Sequence, residues 1–197
     1  KNYDRKKFCF RHNIPKENKI IILMPGSRQV EIKRHWQVFE QTVKTLQGKH
    51  KNLTFVLIEG ENVNINSNLD LIKVKESRYE AIGVADAAIV CSGTATLETS
   101  MLRCPMVVCY KLSWATWFFA KAMSKVKYLS LTNLIAEDEI VEELLQDKMN
   151  AKRLSQSVTS LLSPKNKYEL LKKYDKLIMK LKNSENAYDS AAKYIYD

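Results

Sequence analysis

The sequence predicts an α/β domain, a doubly wound parallel sheet of about six strands followed by C-terminal helices. Short runs rich in Val and Ile recur along the chain, each run ends in a turn, and apolar residues after the turn step at helical spacing. Alternation of this kind implies parallel pairing, right-handed crossovers and helices on both faces of the sheet.

Lys19 to Met24 (KIIILM) reads as a buried strand. After Pro25-Gly26-Ser27 comes a helix whose apolar residues Ile32, Trp36, Phe39, Val43 and Leu46 advance by fours and threes. Leu53 to Ile58 (LTFVLI) is a second strand, Glu59 to Asp70 a polar loop, and Leu71 to Val74 a short third strand. Ser77 and Glu80 have capping-box spacing, which starts a helix running to about Ala85. Ala87 to Cys91 is the fourth strand, Ser92-Gly93-Thr94 opens a helix through Leu102, and Met106 to Tyr110 is the fifth strand. Beyond Ser113 the pattern turns helical, apart from a run near Val126 to Leu131 read as a last strand. Asn150 caps a helix carrying Leu154, Val158 and Leu161. Ser163-Pro164 starts another with Leu171, Tyr174, Ile178 and Leu181. The division expected is a nucleotide-binding domain over residues 1–162 and a helical tail over 163–197.

Apolar residues at 45% and charged residues at 27% are ordinary for a folded domain, so a core forms without staples. Cys9, Cys91, Cys104 and Cys109 show no zinc-site spacing, and three lie beside or inside apolar runs, as reduced buried thiols of a cytoplasmic protein do. No run of about 18 apolar residues offers a membrane span. The opening KNYDRKKFCFRHN lacks a signal core and an initial Met, as in a cytoplasmic fragment. The net charge of +10 favours something anionic: nucleic acid, a membrane face or a phosphorylated ligand.

Open parallel sheets bind ligands at the carboxyl ends of their strands, which directs attention to two glycine-containing turns. In the first, Gly26, Ser27 and Arg28 precede a helix with Glu31 in its first turn. Unpaired N–H groups, about half a positive charge from the helix dipole and an arginine fork suit a phosphate or pyrophosphate. The same residues also suit a plain strand-to-helix turn with a surface arginine. In the second, Ser92, Gly93, Thr94, Ala95 and Thr96 gather hydroxyls at a helix start, with Glu98 one turn in, able to accept from a ribose diol. An N-cap cluster with a glutamate near the dipole's positive end accounts for that pattern too.

Spacing disfavours other classes. The sequence contains neither G-x-x-x-x-G-K-[ST] nor G-x-G-x-x-G, and Ser92 lacks the flanking glycines of a nucleophile elbow. His12, His35 and His50 have no partner at ligand spacing and read as surface or boundary residues. Trp114, Trp117, Phe118 and Phe119, followed by Lys121, Lys125 and Lys127, fit either an anionic membrane surface or packing in a core or domain interface.

Taken in order, MPGSRQVEI (24–32), ADAAIVCSGTATLE (85–98), PMVVCYK (105–111), VKYLSLTNLIA (126–136) and EELLQ (142–146) resemble the successive motifs of the lipid-A-disaccharide synthase family. The resemblance implies the C-terminal, UDP-binding, Rossmann-like half of a two-domain glycosyltransferase B fold. It implies transfer, with inversion, of 2,3-diacylglucosamine from UDP to 2,3-diacylglucosamine 1-phosphate, giving the lipid A disaccharide 1-phosphate and UDP. No metal or cofactor is implied. Gly26, Ser27 and Arg28 match the first phosphate-side turn, with Arg28 in a catalytic role as leaving-group stabiliser. Ser92, Gly93, Thr94, Ala95 and Glu98 match the second nucleotide-contacting element, and Asn133 matches an asparagine near the donor. The general base is expected in an N-terminal half, so this stretch alone is expected to be inactive.

Departures from the family pattern cluster around Asn133. Thr132 replaces a proline, Glu137 and Asp138 occupy a stretch that usually contains glycine, and Glu142 replaces another proline. The resemblance further implies peripheral binding to the anionic cytoplasmic face of a Gram-negative inner membrane, no nucleic-acid partner, and room for a homodimer. It also implies a last helix, Asn186 to Asp197, that crosses to the N-terminal domain or a neighbouring chain. Two alternatives stand beside it: another UDP-N-acetylglucosamine enzyme of this fold, such as an epimerase or peptidoglycan glucosaminyltransferase, and a basic nucleic-acid-binding module.

Overall fold

The structure, a computed structural model, describes residues 3–60, 63–91, 93–112 and 127–196, with side chains as far as residue 182. Its sheet is built from β1 (Lys19–Met24), β2 (Leu53–Ile58), β3 (Ile72–Val74), β4 (Ala87–Cys91), β5 (Met106–Tyr110) and β6 (Glu143–Leu145). Every pairing is parallel, in the order β3-β2-β1-β4-β5-β6. Ile22 stands opposite Val56 on one side and Ala88 on the other, so β1 is central and its apolar run is continuous because both faces are covered.

Side chains alternate between the faces with the two-residue period of a strand. Ile20, Ile22, Val56, Ala88, Val90, Met106 and Val108 enter one core. It includes Phe8 from α1 (Arg5–Arg11), Ala81 and Ile82 from α3 (Arg78–Val84), and Leu170 and Tyr174 from the long C-terminal helix. Ile21, Leu23, Phe55, Leu57, Ile89, Val107 and Cys109 enter the other, beneath α2 (Gln29–Lys49) and the helix Ala151–Leu161. α2 contributes Ile32, Phe39, Val43 and Leu46, the predicted stripe, with Trp36 packed at its margin. Each large side chain buried this way contributes about 1.5–3 kcal/mol.

Between β4 and β5 lies α4 (Thr94–Met101); α5 (Leu131–Ala136), α6 (Ala151–Leu161) and α7 (Pro164–Tyr196) complete the helices described. All four cysteines are free and buried. At the lower end of the sheet Asp86 accepts from the backbone N–H of Ile20 and pairs with Arg5 at 2.9 Å and Lys19 at 3.3 Å, tying α1 to β1 and β4.

Three sequence expectations require correction. The last strand is Glu143–Leu145; of the expected run, residues 127–130 form no strand and Leu131 begins α5, while Val126 lies outside the described residues. Ser130 caps α5 by accepting from the N–H of Asn133, which commits this run to a helix start. Ser77 is the N-cap of α3, but its hydroxyl makes no capping hydrogen bond. Along α7 the buried line is Leu170, Tyr174 and Leu177, while Leu171 and Ile178 lie at the margin. The stripe therefore keeps the expected Tyr174 but turns Leu170 and Leu177 inward in place of Leu171 and Ile178, as the docking of the helix sets.

Candidate functional site

β1 and β4 are neighbours in the sheet, yet the helices that follow them lie on opposite faces: α2 covers the core containing Ile21, whereas Ala95 and Leu102 of the α4 region pack on the other. This divergence opens a crevice at the strands' carboxyl ends. A cleft of about 1010 Å³ occupies it, lined by both glycine turns, with Gly26, Ser27 and Arg28 from one and Gly93, Thr94, Ala95 and Glu98 from the other. Ser92 lies outside the described residues, as does the segment holding Trp114, Trp117, Phe118 and Phe119.

Both turns require glycine. Gly26 has φ +129°, and a Cβ there would sit 2.9 Å from Glu31 Oε2. Gly93 has φ +135° as the N-cap of α4. A side chain at either position would be strained in the backbone itself.

Helix starts facing the cleft differ from three α-helix starts elsewhere. Asp4 caps α1, Ser130 caps α5 and Asn150 caps α6 through side-chain oxygens. α2, α3 and α4, whose first residues meet at the cleft, have no side-chain cap. Their first-turn N–H groups and dipoles therefore address the cavity, which favours an anion there. Of the hydroxyls in the second turn, Thr96 is buried and donates back to the Gly93 carbonyl at 2.8 Å, so it serves the turn rather than the cavity.

Charge within the cleft is organised in pairs. Arg28, with its side chain 83% exposed, lies 3.8 Å from Glu31. Glu31 is fixed by the Tyr110 hydroxyl, which donates to it at 2.8 Å; burial, then the carboxylate, push the phenol up to about 12. On the opposite wall Arg78 and Tyr79 donate to Glu98 at 2.9 and 3.2 Å. Glu59, almost fully buried, accepts from the Ile65 N–H and pairs with Lys73. Glu59, Gly60, Lys75, Glu76, Arg78, Tyr79 and Tyr110 line the cleft without having been expected there. Their signal was available, since Tyr110 ends β5 and each of the others follows the carboxyl end of a strand by a few residues. Among the described residues no cluster of His, Cys, Asp and Glu converges as metal ligands would.

His35 also departs from expectation. It is fully buried beneath the first turn, whereas His12 and His50 are at the boundary. The Lys111 N–H donates to its Nε2 at 3.1 Å, which leaves the proton on Nδ1 for the Pro25 carbonyl at 2.8 Å. Cys91 Sγ lies 3.1 Å from the same Nδ1. One side chain thus ties together the ends of β1, β4 and β5. Burial lowers its pKa, so below about pH 6.5 the unfolded chain takes a proton that the folded one resists, and stability falls as pH drops. His35→Leu is expected to cost about 1–3 kcal/mol at neutral pH by orphaning the Lys111 and Pro25 groups. It should also flatten the loss between pH 7.5 and 5.5, measured by urea midpoints; an unchanged slope would assign that loss to other groups.

Asn133 is placed differently from the turn residues. It is buried outside the cleft lining, donating to the Val141 carbonyl and Glu143, both at 2.8 Å, and accepting from the N–H groups of Ile140 and Val141. Glu143 in turn accepts from the backbone N–H of Leu129, a cleft residue. Glu137, in the stretch where the family pattern has glycine, ends α5 in the left-handed conformation that glycine favours, at φ 60°.

The sequence profile described as lipid-A-disaccharide synthetase matches residues 1–195. The chain belongs to the lipid-A-disaccharide synthase family. It is 33% identical over 201 aligned residues to the lipid-A-disaccharide synthase of Sulfurihydrogenibium sp. (strain YO3AOP1), covering 93% of this chain and 52% of that protein. With the synthase of Histophilus somni (strain 2336) the identity is 30% over 189 residues, 88% of this chain and 49% of that protein. The chain therefore spans about half the length of these curated relatives. Among solved structures it is similar to a spinosyn rhamnosyltransferase complexed with thymidine diphosphate, with a TM-score of 0.56 at 13% identity over 84% of this chain and 43% of that one. It is likewise similar to the E. coli ADP-heptose lps heptosyltransferase II, with a TM-score of 0.54 at 12% identity over 80% of this chain and 50% of that one. These likenesses establish the fold as one half of the glycosyltransferase B architecture.

Proposed function

We propose that this chain is the donor-nucleotide half of an inverting glycosyltransferase that transfers 2,3-diacylglucosamine from UDP to 2,3-diacylglucosamine 1-phosphate. The observation that carries the reading is the meeting of the two glycine turns and three uncapped helix starts around one cleft. Family membership supports this substrate class. In this reading Gly26 and Gly93 let the diphosphate approach the backbone, Ser27, Ser92, Thr94 and Ala95 border it, and Glu98 accepts from the ribose. Asn133 supports the donor by fixing the Leu129 wall.

As the acceptor hydroxyl attacks the anomeric carbon, the bond to UDP breaks and negative charge grows on the departing phosphate. Helix N-termini already aimed at that position stabilise the charge without reorganising, and Arg28, lining the same cleft, adds a permanent cation. The acceptor's proton passes to a base in an N-terminal half, so this chain by itself binds UDP and transfers no sugar. The C-terminal stretch Asn186 to Asp197 crosses to that half or to a second copy in a homodimer. The charge of +10 and the aromatic and lysine segment from Trp114 to Lys127 suit the anionic cytoplasmic face of an inner membrane. Among the described residues no helix is long and apolar enough to cross a membrane.

Titration calorimetry of the 197-residue chain with UDP tests the reading. Saturable binding that is lost in Gly26→Val is expected. Absence of UDP binding, or sugar transfer by the chain alone, would contradict it.

A further inference from the structure

The cleft holds a preorganised carboxylate whose neighbours have no assigned role. Glu98 lies four residues after Thr94 on α4, so both occupy one helix face about 6 Å apart along the axis. A diphosphate held at the open start of α4 therefore leaves its sugar near Glu98. Two donors from the first turn of α3 converge on a single oxygen of this carboxylate: Arg78 Nη2 at 2.9 Å and the Tyr79 hydroxyl at 3.2 Å, both to Oε1. The Tyr79 oxygen accepts from Arg78 Nη2 at 2.5 Å, which turns its own O–H toward Glu98. The guanidinium also lies 4.5 Å from the centre of the Tyr79 ring, so the three side chains lock one another.

An ionised carboxylate only accepts hydrogen bonds. With Oε1 engaged by two donors, its orientation is fixed before any ligand arrives, and its remaining acceptor capacity suits a pair of hydroxyl donors on adjacent carbons. A ribose diol presents such a pair; a 2′-deoxyribose does not. Building on the UDP reading above, the geometry points to Arg78 and Tyr79 as positioning residues that make this cleft select ribonucleotides over 2′-deoxyribonucleotides. A carboxylate free to rotate would follow either sugar and solvate itself in water when the 2′-hydroxyl is missing. Held rigid, it stays short of a partner, and the deoxy ligand bears the full penalty.

The test compares dissociation constants of UDP and 2′-deoxy-UDP for the 197-residue chain by titration calorimetry. UDP is expected to bind about 10- to 100-fold more tightly, the range for a hydrogen bond to a charged group. Tyr79→Phe keeps the exposed ring and removes the hydroxyl; it should shrink that ratio at least threefold through weaker UDP binding, with 2′-deoxy-UDP affinity unchanged. Arg78→Gln should move the ratio in the same direction. Retention of the wild-type ratio in both variants overturns the inference while leaving UDP binding intact. Equal losses for both nucleotides overturn it as well, by showing a purely structural role. If neither nucleotide binds the wild-type chain, the UDP reading fails and this one with it.

Discussion

Replacing Arg28 by alanine in the complete enzyme is expected to lower kcat/KM by about 30- to 1,000-fold, equivalent to about 2–4 kcal/mol of lost transition-state stabilisation. The expectation for so exposed a side chain rests on where it sits. Arg28 sits at the N-cap of α2, where no side chain covers the first-turn N–H groups, and Glu31 holds it only at 3.8 Å. Glu31 lines the same cleft, but the Tyr110 hydroxyl holds its carboxylate, so it does not close on Arg28 as a tight pair. The guanidinium is thus tethered near the diphosphate position without being consumed by a tight pair. Its contribution grows as charge develops on the leaving group, so kcat should fall together with kcat/KM. Arg28→Lys should recover part of the loss, since it restores charge without the fork. Near-normal turnover in Arg28→Ala would remove this residue from the mechanism, and a rise in KM alone would reassign it to ground-state binding.

Asn133→Ala is expected to destabilise the chain by about 2–4 kcal/mol, because it orphans buried partners on both sides of one amide. The N–H groups of Ile140 and Val141, the Val141 carbonyl and the Glu143 carboxylate all lose their Asn133 contact. For a chain of this size that corresponds to a fall in melting temperature of about 5–15 °C. UDP affinity should fall less, as the loop at Leu129 loosens. A variant with an unchanged melting temperature and sharply weaker UDP binding would show instead that Asn133 contacts the donor directly. The experiment therefore separates support of the cleft wall from ligand contact.

These effects differ in how far the sequence foretold them. Parallel strands covered on both faces must be apolar throughout, so β1, β2, β4 and β5 were legible as Val- and Ile-rich runs. The glycine turns were legible for a related reason. A φ of about +130°, well outside the left-handed helical values that Glu137 and Gln146 adopt, demands glycine, and Gly26 and Gly93 both have it. The order of motifs pointed to the family, which the match over residues 1–195 established.

Of the two edge strands, β3 was legible and β6 was not. β6 is three residues long, and its neighbourhood is set by Glu143, which reaches back to the N–H groups of Leu129 and Ser130. No periodicity records such a contact. Spacing along α2 does put His35 on the buried face, three residues after Ile32 and four before Phe39, but it does not reveal the partner Lys111, 76 residues away at the end of β5. Glu98 could be named from its place after the second turn, but its partners Arg78 and Tyr79 required α3 and α4 to meet.

The sequence by itself determined which segments lie inside the sheet and where the backbone turns through glycine at the strand ends, because burial and a φ of about +130° each restrict residue type locally. Only the tertiary structure decided which charged side chains line the cleft between those turns and which of them pair with one another. Those pairings depend on distances between elements far apart in the chain, and a polar residue carries no local mark of the partner it will meet.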